Sequence, residues 1–385
     1  MEKSSTVAIG TLLSPASIER RAIMAKALCA PGTYLQGKGE MGRLATHAST
    51  FDAHEAYLIV SPFNARTYQD LIVGSFEEAS VAYTLSTFGG ECSQAEIEHH
   101  GSALEGADVV FGIGGGKTLD TAKAVAHYAG LPVIIVPSVA STDAPTSRLS
   151  VIYHEDGSFD RYLPLPKNPD MVIMDTNVIA HAPARFLMAG IGDALATYYE
   201  AAACQRSNAI TMSGHRATLG GMAIARLCRE TLLADGLKAK AAVEVGACTP
   251  ALENIVEANT FLSGIGFESG GLAAAHAIHD GLTKLEETHT LLHGEKVTFG
   301  LLTELQLENC PLDDLIEITR FCQACGLPTT LGELGLADAD DKRLLVAATA
   351  ACAPDDTMGN MPFEVTPADV VDAMKAADRF SKSLA

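Results

Sequence analysis

The stretch Asp108-Val-Val-Phe-Gly-Ile-Gly-Gly-Gly-Lys-Thr-Leu-Asp-Thr-Ala-Lys123 decides the fold. A short apolar run, Asp108 to Phe111, enters three consecutive glycines, Gly114, Gly115 and Gly116, and a helical stretch follows at once. Strand, turn and helix in that order open a βαβ unit. Glycines let the backbone approach a phosphate closely, and a helix N-terminus offers free N–H groups and a favourable dipole. Three glycines exceed what one turn needs, so a phosphate cradle is expected here. It is of neither usual kind. A P-loop would need glycine at Phe111, six residues before Lys117. The G-x-G-x-x-G spacing would need glycine at Lys117, three residues after Gly114.

Outward from this turn the same texture repeats. Ala56-Tyr-Leu-Ile-Val60, Val81-Ala-Tyr-Thr-Leu85 and Pro132-Val-Ile-Ile-Val136 are apolar, β-favouring runs with polar helical stretches between them. Such runs suit strands buried on both faces of a parallel sheet with right-handed crossovers. After about residue 180 the chain becomes rich in Ala, Leu and Glu. Gly190 to Cys204, Ser213 to Leu233, Ala251 to Gly264 and Leu315 to Cys325 read as helices. Three prolines fall within Leu163 to Pro169, which places a hinge there. The expected architecture is an α/β N-terminal domain with a parallel sheet (1–165) and an all-α C-terminal domain (166–385). The cleft between them is a favoured place for a ligand.

Composition narrows the function. The 385 residues hold 27 Lys and Arg against 47 Asp and Glu, a formal net charge of −20. A protein that neutralises phosphates needs a basic face, so nucleic acid and anionic membrane surfaces are not expected partners. No apolar run reaches the roughly 18–20 residues that span a bilayer. Thr6 to Leu13 is too short for a signal segment and follows Glu2, so the chain reads as soluble and unprocessed. Nine cysteines are scattered, with Cys322-x-x-Cys325 the only close pair. A cysteine zinc site would want a second such pair. Two small buried side chains, or a redox pair, remain the readings. Free thiols point to a cytoplasmic location.

Two further groups carry chemistry. Pro137-Ser-Val-Ala-Ser-Thr-Asp-Ala-Pro-Thr-Ser147 follows a predicted strand, where open α/β sheets bind ligands. Its hydroxyls and its carboxylate, Asp143, are fit to orient a polyol or a ribose. Of 12 histidines, four fall within 18 residues: His276, His279, His289 and His293. His276 and His279 share a helical face, and His293 opens another helix. Two imidazoles on separate elements with a distant carboxylate make a plausible three-ligand metal site. Asp193, in Ala189-Gly-Ile-Gly-Asp-Ala-Leu-Ala196, is a candidate carboxylate. Near a predicted helix start it is also a candidate cap.

These motifs resemble the glycerol dehydrogenases, a branch of the metal-dependent, iron-containing-type alcohol dehydrogenase superfamily. The resemblance runs from about Gly32 to Pro367. It rests on Phe88-Gly-Gly-Glu-Cys-Ser-Gln94, Gly112 to Lys123, Ser141-Thr-Asp-Ala-Pro145, Phe159-Asp-Arg-Tyr162, Ala189 to Thr197, Phe267 to His279, and His293-Gly-Glu-Lys-Val297. It implies a dinucleotide domain followed by a helical metal-binding domain, a plan shared with dehydroquinate synthase. By the resemblance Asp193, His276 and His293 hold zinc. Gly114, Gly115, Gly116, Lys117, Asp120, Ser138, Ser141, Ser147, Leu149 and Tyr153 contact NAD. Asp143 contacts the substrate polyol. His279 is either a proton relay, a partner of a ligand or a packed residue, and His289 is left at the surface. Iron-using relatives carry a fourth ligand, a histidine four residues after the aspartate, where this chain has Thr197. Family members also carry an acid after the strand matching Ala56 to Val60. Here Ser61-Pro62-Phe63 stands instead, which leaves NADP open beside NAD.

The resemblance therefore implies zinc-dependent, NAD-linked oxidation of glycerol or similar vicinal diols, in a homo-oligomer for which an octamer is one size. Two alternatives stay open: a dehydrogenase of a hydroxy acid or other diol, and a phosphate-eliminating cyclase like dehydroquinate synthase. Residues 1 to about 27 have no counterpart.

Overall fold

Branched and aromatic residues pack well on a pleated surface, and the runs that carry them are the strands. The computed structural model describes residues 25–384. The Thr6–Leu13 segment, and all but the end of the stretch without a counterpart, lie outside the described residues. Among the described residues eight strands form: β1 Thr33–Gly37, β2 Glu55–Val60, β3 Ala82–Thr87, β4 Val109–Gly114, β5 Val133–Pro137, β6 Leu149–Tyr153, β7 Phe159–Pro164 and β8 Met171–Asp175. Six of them build one parallel sheet in the order β1-β8-β5-β4-β2-β3. β4, β5 and β8 are buried along their whole length, whereas the edge strands β1 and β3 are half-exposed. Only strands covered on both faces can be apolar throughout, which is why these runs lack alternation. β6 and β7 pair antiparallel as a separate hairpin.

Strand order reverses beside β4, so the carboxyl ends of β2, β4 and β5 meet at the place where such sheets bind ligands. Ser61 N donates to Ile113 O (2.9 Å) and Ser138 N to Gly114 O (3.0 Å). The glycine turn is thereby fixed between the two flanking loops.

The proline-rich stretch leads from the hairpin back to the sheet. The prolines end the hairpin by removing ladder donors. The apolar run Met171–Asp175 then re-enters the sheet between β1 and β5. By hydrogen bonding the α/β layer thus runs past residue 165, to Asp175.

Beyond it the chain is helical. The helices Ala184–Ser207, Leu219–Val243, Ala274–Leu282 and His293–Leu307 surround the site described below. The helix expected from Ser213 starts only at Leu219, where Thr218 Oγ1 accepts from Gly221 N at 2.9 Å as a cap. The helix expected at Ala251 to Gly264 is Pro250–Glu257 and Ser263–Gly270, joined by a π turn at Ala258–Leu262. No helix among the described residues is long and apolar enough to cross a membrane. One apolar core runs through both layers, joining Ile59, Val110 and Ile135 of the sheet to Leu195, Leu232 and Leu301 of the helices.

Candidate active site

The glycine turn opens a ledge at the sheet's carboxyl edge. Its glycines divide by role. A Cβ at Gly114 would stand 2.9 Å from both Ser61 Cβ and Thr118 Oγ1, so close packing demands glycine there. At Gly115 and Gly116 a Cβ would meet nothing within 4 Å. Gly115 caps the helix Gly116–Ala129 with extended backbone, so the first-turn N–H groups of that helix border open space. Lys117 is exposed, pairs with Glu91 at 2.5 Å, and lies 5.1 Å from the centre of the Tyr153 ring. Ser138, Ser141, Leu149 and Tyr153 are half-buried around this ledge.

Three segments far apart in sequence converge a few residues away. Asp193 is fully buried in the middle of Ala184–Ser207, not at a helix start as expected, so it caps nothing. The helix begins earlier, behind Pro183, and the two glycines before Asp193 serve close packing instead. A Cβ at Gly192 would stand 2.2 Å from Thr298 Oγ1, and one at Gly190 2.1 Å from Ala140 O. His276 Nε2 lies 3.3 Å from Asp193 Oδ1, and His293 Nε2 lies 3.0 Å from it. One ligand atom from each of the three residues falls within 4.8 Å of the others. Asp193 Oδ1 is buried, yet it has no hydrogen-bond partner among the described residues. Two ring nitrogens stand 3.3 and 3.0 Å from that carboxylate oxygen, outside hydrogen-bond geometry. That arrangement, with two neutral-nitrogen donors and one anionic oxygen donor, suits a divalent cation bound between them.

The loop from Ser138 to Asp143 joins ledge and cluster, since Asp143 N donates to Asp193 Oδ2 at 3.4 Å. Five residues span at most about 17 Å even when extended. The glycine ledge and the Asp193 cluster are therefore neighbours.

Comparison with known proteins settles the kinship. Residues 31–176 match the family described as iron-containing alcohol dehydrogenase. A glycerol dehydrogenase of Escherichia coli O6:H1 is 49% identical over 362 residues, covering 93% of this chain and 98% of its own. A glycolaldehyde reductase of Halobacterium salinarum is 45% identical over 354 residues, covering 91% of this chain and 97% of its own. The crystal structure of glycerol dehydrogenase from Schizosaccharomyces pombe superposes with a TM-score of 0.89 at 41% identity, covering 94% of this chain and 92% of that one. The chain belongs to the iron-containing alcohol dehydrogenase family. It is an oxidoreductase, its fold is that of the glycerol dehydrogenases, and a nicotinamide-type cofactor, a metal and a small alcohol come with the family.

Several residues named from the sequence are also tied to neighbours within the protein. Asp120 is buried and turned inward: Oδ1 pairs with Lys123 Nζ at 2.8 Å and Oδ2 accepts from Val151 N at 3.0 Å. Ser147 Oγ is spent on Ala144 O at 3.0 Å, and Leu149 O accepts from Lys123 Nζ. Asp143 is nearly buried, and its Oδ2 accepts from Ser263 Oγ at 2.6 Å. Thr197 Oγ1, where the fourth ligand of iron-using relatives would sit, bonds Ser263 Oγ at 2.8 Å. His279 Nε2 is 3.0 Å from His293 Nδ1, and its Nδ1 is 3.0 Å from Asp280 Oδ1. His289 is exposed and bonds Thr283 O. Cys322 and Cys325 are both buried and free.

Electrostatics separate the two aspartates. Burial and then the charge of Asp193 push the Asp143 carboxyl well above its ordinary range, against the Ser263 hydrogen bond. Burial also acts to raise Asp193, but His293 and His276 override it and hold the carboxyl below its usual range. Burial, reinforced by His293, lowers His279 to about 3 despite Asp280, so its ring is neutral.

Three contributors escaped the sequence. Asn259, in the π turn, donates to Ala140 O and Leu187 O at 3.0 Å each, tying the hydroxyl loop to the Asp193 helix. Ser263 closes the same turn onto Asp143. Glu200 accepts from His276 Nδ1 at 2.6 Å. A lone Asn, Ser or Glu in a helix-rich stretch carries no local signal of such a role; only the π turn, a feature frequent at functional sites, would have pointed to the first two.

Proposed function

We propose that this enzyme oxidises glycerol and similar vicinal diols to the hydroxyketone, dihydroxyacetone from glycerol, with NAD as hydride acceptor and zinc on Asp193, His276 and His293. The observation that carries the reading is the buried, unpartnered Asp193 Oδ1 beside two imidazole nitrogens. The donor set by itself accommodates zinc or iron(II). Zinc is preferred because Thr197 leaves three protein ligands and an open side. A cation there supplies Lewis acidity that favours loss of the hydroxyl proton, worth several kcal/mol.

The chain's own groups do the rest. Asp193 supplies the negative charge. His276 and His293 present Nε2, each fixed through Nδ1. Asp143, whose carboxyl burial pushes up, would meet a substrate hydroxyl beside Asp193. His279 Nε2 hydrogen-bonds His293 Nδ1 and so helps fix that ring, while its own Nδ1 faces Asp280, whose side chain is 44% exposed. That line of groups leads from the site towards solvent. Gly115, Gly116 and Lys117 border the cofactor's phosphates. Asp120 acts through the loop it ties down.

The cyclase alternative loses support. Its phosphate-bearing substrate would need several free cations, but Lys117 pairs with Glu91, Arg148 with Glu268 at 2.9 Å, and Arg161 with Asp160, which leaves only the mostly buried Lys296, of the basic residues of these motifs, without an ion pair among the described residues. The glycolaldehyde reductase relative favours a second reading, interconversion of a two-carbon hydroxyaldehyde and its diol. The turn after β2 has no carboxylate to hold a ribose 2′-hydroxyl or repel a 2′-phosphate. The nine free cysteines fit a reducing, cytoplasmic setting.

The test is a panel of glycerol, propane-1,2-diol, glycolaldehyde and hydroxy acids against NAD and NADP, or their reduced forms, with zinc or iron(II) reloaded after chelation. Glycerol with NAD and zinc is expected to give the highest kcat/KM. Asp193→Asn and His293→Ala are expected to lose bound metal and at least about a hundredfold in kcat/KM. Full zinc content in His293→Ala, or undiminished turnover after exhaustive chelation, would sink the metal assignment. Preference for glycolaldehyde would install the second reading.

A further inference from the structure

Glu200 is a buried acid in an otherwise apolar stretch, on the same helix as Asp193 and two turns further along. Both its oxygens are committed. Oε1 accepts from Ala273 N at 2.8 Å and from His276 N at 2.9 Å. Oε2 accepts from His276 Nδ1 at 2.6 Å. The first two bonds satisfy otherwise orphaned N–H groups at the start of Ala274–Leu282. The third decides what the imidazole can do. An acceptor at Nδ1 keeps the proton there and leaves the Nε2 lone pair facing Asp193, 3.3 Å away.

We propose that Glu200 is a positioning residue for the cation site: by accepting the Nδ1 proton of His276 it fixes the one tautomer and ring orientation able to ligate through Nε2. The inference rests on the metal reading above. It is specific to Glu200 among the buried acids here. Glu304 is equally buried and caps the same helix, accepting from Ala275 N at 2.7 Å, but makes no hydrogen bond to an imidazole.

Glutamine is the informative replacement because it keeps the shape and halves the acceptors. If its oxygen keeps the two backbone N–H groups, its amide N–H points at Nδ1. His276 must then place its proton on Nε2, where it blocks ligation. If the amide turns over, two buried backbone donors face another donor. Neither arrangement keeps both helix cap and ligand.

Zinc affinity is read by competition with a chromogenic chelator in the wild type, Glu200→Gln, Glu304→Gln and Asp193→Asn. Circular dichroism of each protein checks the fold. Glu200→Gln is expected to bind zinc about 10–100-fold more weakly, with Glu304→Gln close to the wild type. Nitrogen-15 spectra of histidine-labelled, zinc-loaded wild type are expected to show His276 protonated at Nδ1, and they serve alone if Glu200→Gln does not fold. Three results overturn the inference: Glu200→Gln binding within about twofold of the wild type, Glu304→Gln losing as much as Glu200→Gln, or an Nε2-protonated His276. If Asp193→Asn loses zinc while Glu200→Gln does not, the metal reading stands and only Glu200's role falls. If the wild type takes up no zinc or iron(II), both fall together.

Discussion

Asp120 and Lys123 hold the candidate cofactor loop from beneath. The Lys123 side chain is fully buried, pairs with Asp120 at 2.8 Å, and donates to the carbonyls of Ala144 and Leu149. Both ends of the 144–149 loop therefore hang on one ammonium, whose charge is tolerable only because Asp120 balances it. Removing one partner of a buried pair leaves an uncompensated charge and costs about 3–5 kcal/mol. Asp120→Ala is expected to lose that much in urea denaturation. A loss below about 1 kcal/mol would show that the ammonium finds water or another acid. Single residues were unevenly legible in the sequence. His276 and His293 stood out because histidines are scarce and these cluster. Asp193 came from its motif, and its burial in mid-helix was invisible, since glycines nearby imitate a helix start. Asp120 lies one helical period from the glycine turn, and nothing local says that its carboxylate points inward. Glu200 sits among alanines, where a glutamate reads as solvated until the fold brings a second helix over it.

At the scale of elements, the site exists because two helices approach almost to backbone contact. A Cβ at Gly294 would stand 1.8 Å from Ala189 O and one at Gly192 2.6 Å from Gly294 O. These glycines set the separation of Ala184–Ser207 and His293–Leu307, and so the 3.0 Å between Asp193 Oδ1 and His293 Nε2. Neither has a positive φ, so the requirement is space, not backbone freedom. Overpacking a core usually costs about 1–3 kcal/mol, and here the obstacle is backbone, which cannot swing aside. Gly294→Ala is expected to cost at least that much and to lose zinc affinity even at temperatures where it stays folded. Normal affinity in a folded Gly294→Ala protein would mean that the crossing can widen without moving His293. Elements were legible where period and composition agreed. The buried strands appeared as continuous apolar runs and the long helices as Ala- and Leu-rich stretches. The π turn was not, because the Asn259 side chain that bridges Ala140 and Leu187 acts on partners more than seventy residues away.

Across the whole molecule, the division into sheet and helices is a division of texture more than of packing. The core that holds Ile59 and Val110 also holds Leu195 and Leu301. The prolines predict a break at residue 165, but local composition cannot report that Met171–Asp175 returns to the sheet or that one core cluster joins both layers. The shared interior has a thermodynamic consequence. Asp193, His276 and His293 lie on three helices, so a cation held by all of them binds the folded state and not the unfolded chain. At a free concentration 100 times its dissociation constant such a ligand stabilises by about 2.7 kcal/mol. Because Leu195 stands in that core two residues from Asp193, the gain should reach the sheet. Adding zinc to chelator-treated protein is therefore expected to raise one cooperative unfolding transition. Probes in both layers should follow it together: the buried Tyr57 of β2 for the sheet, Tyr199 for the Asp193 helix. Asp193→Asn should show no zinc-dependent rise. Two transitions, with only the helical one moving, would mean that the layers unfold separately despite their common core, and that the site's geometry is set by the helices alone.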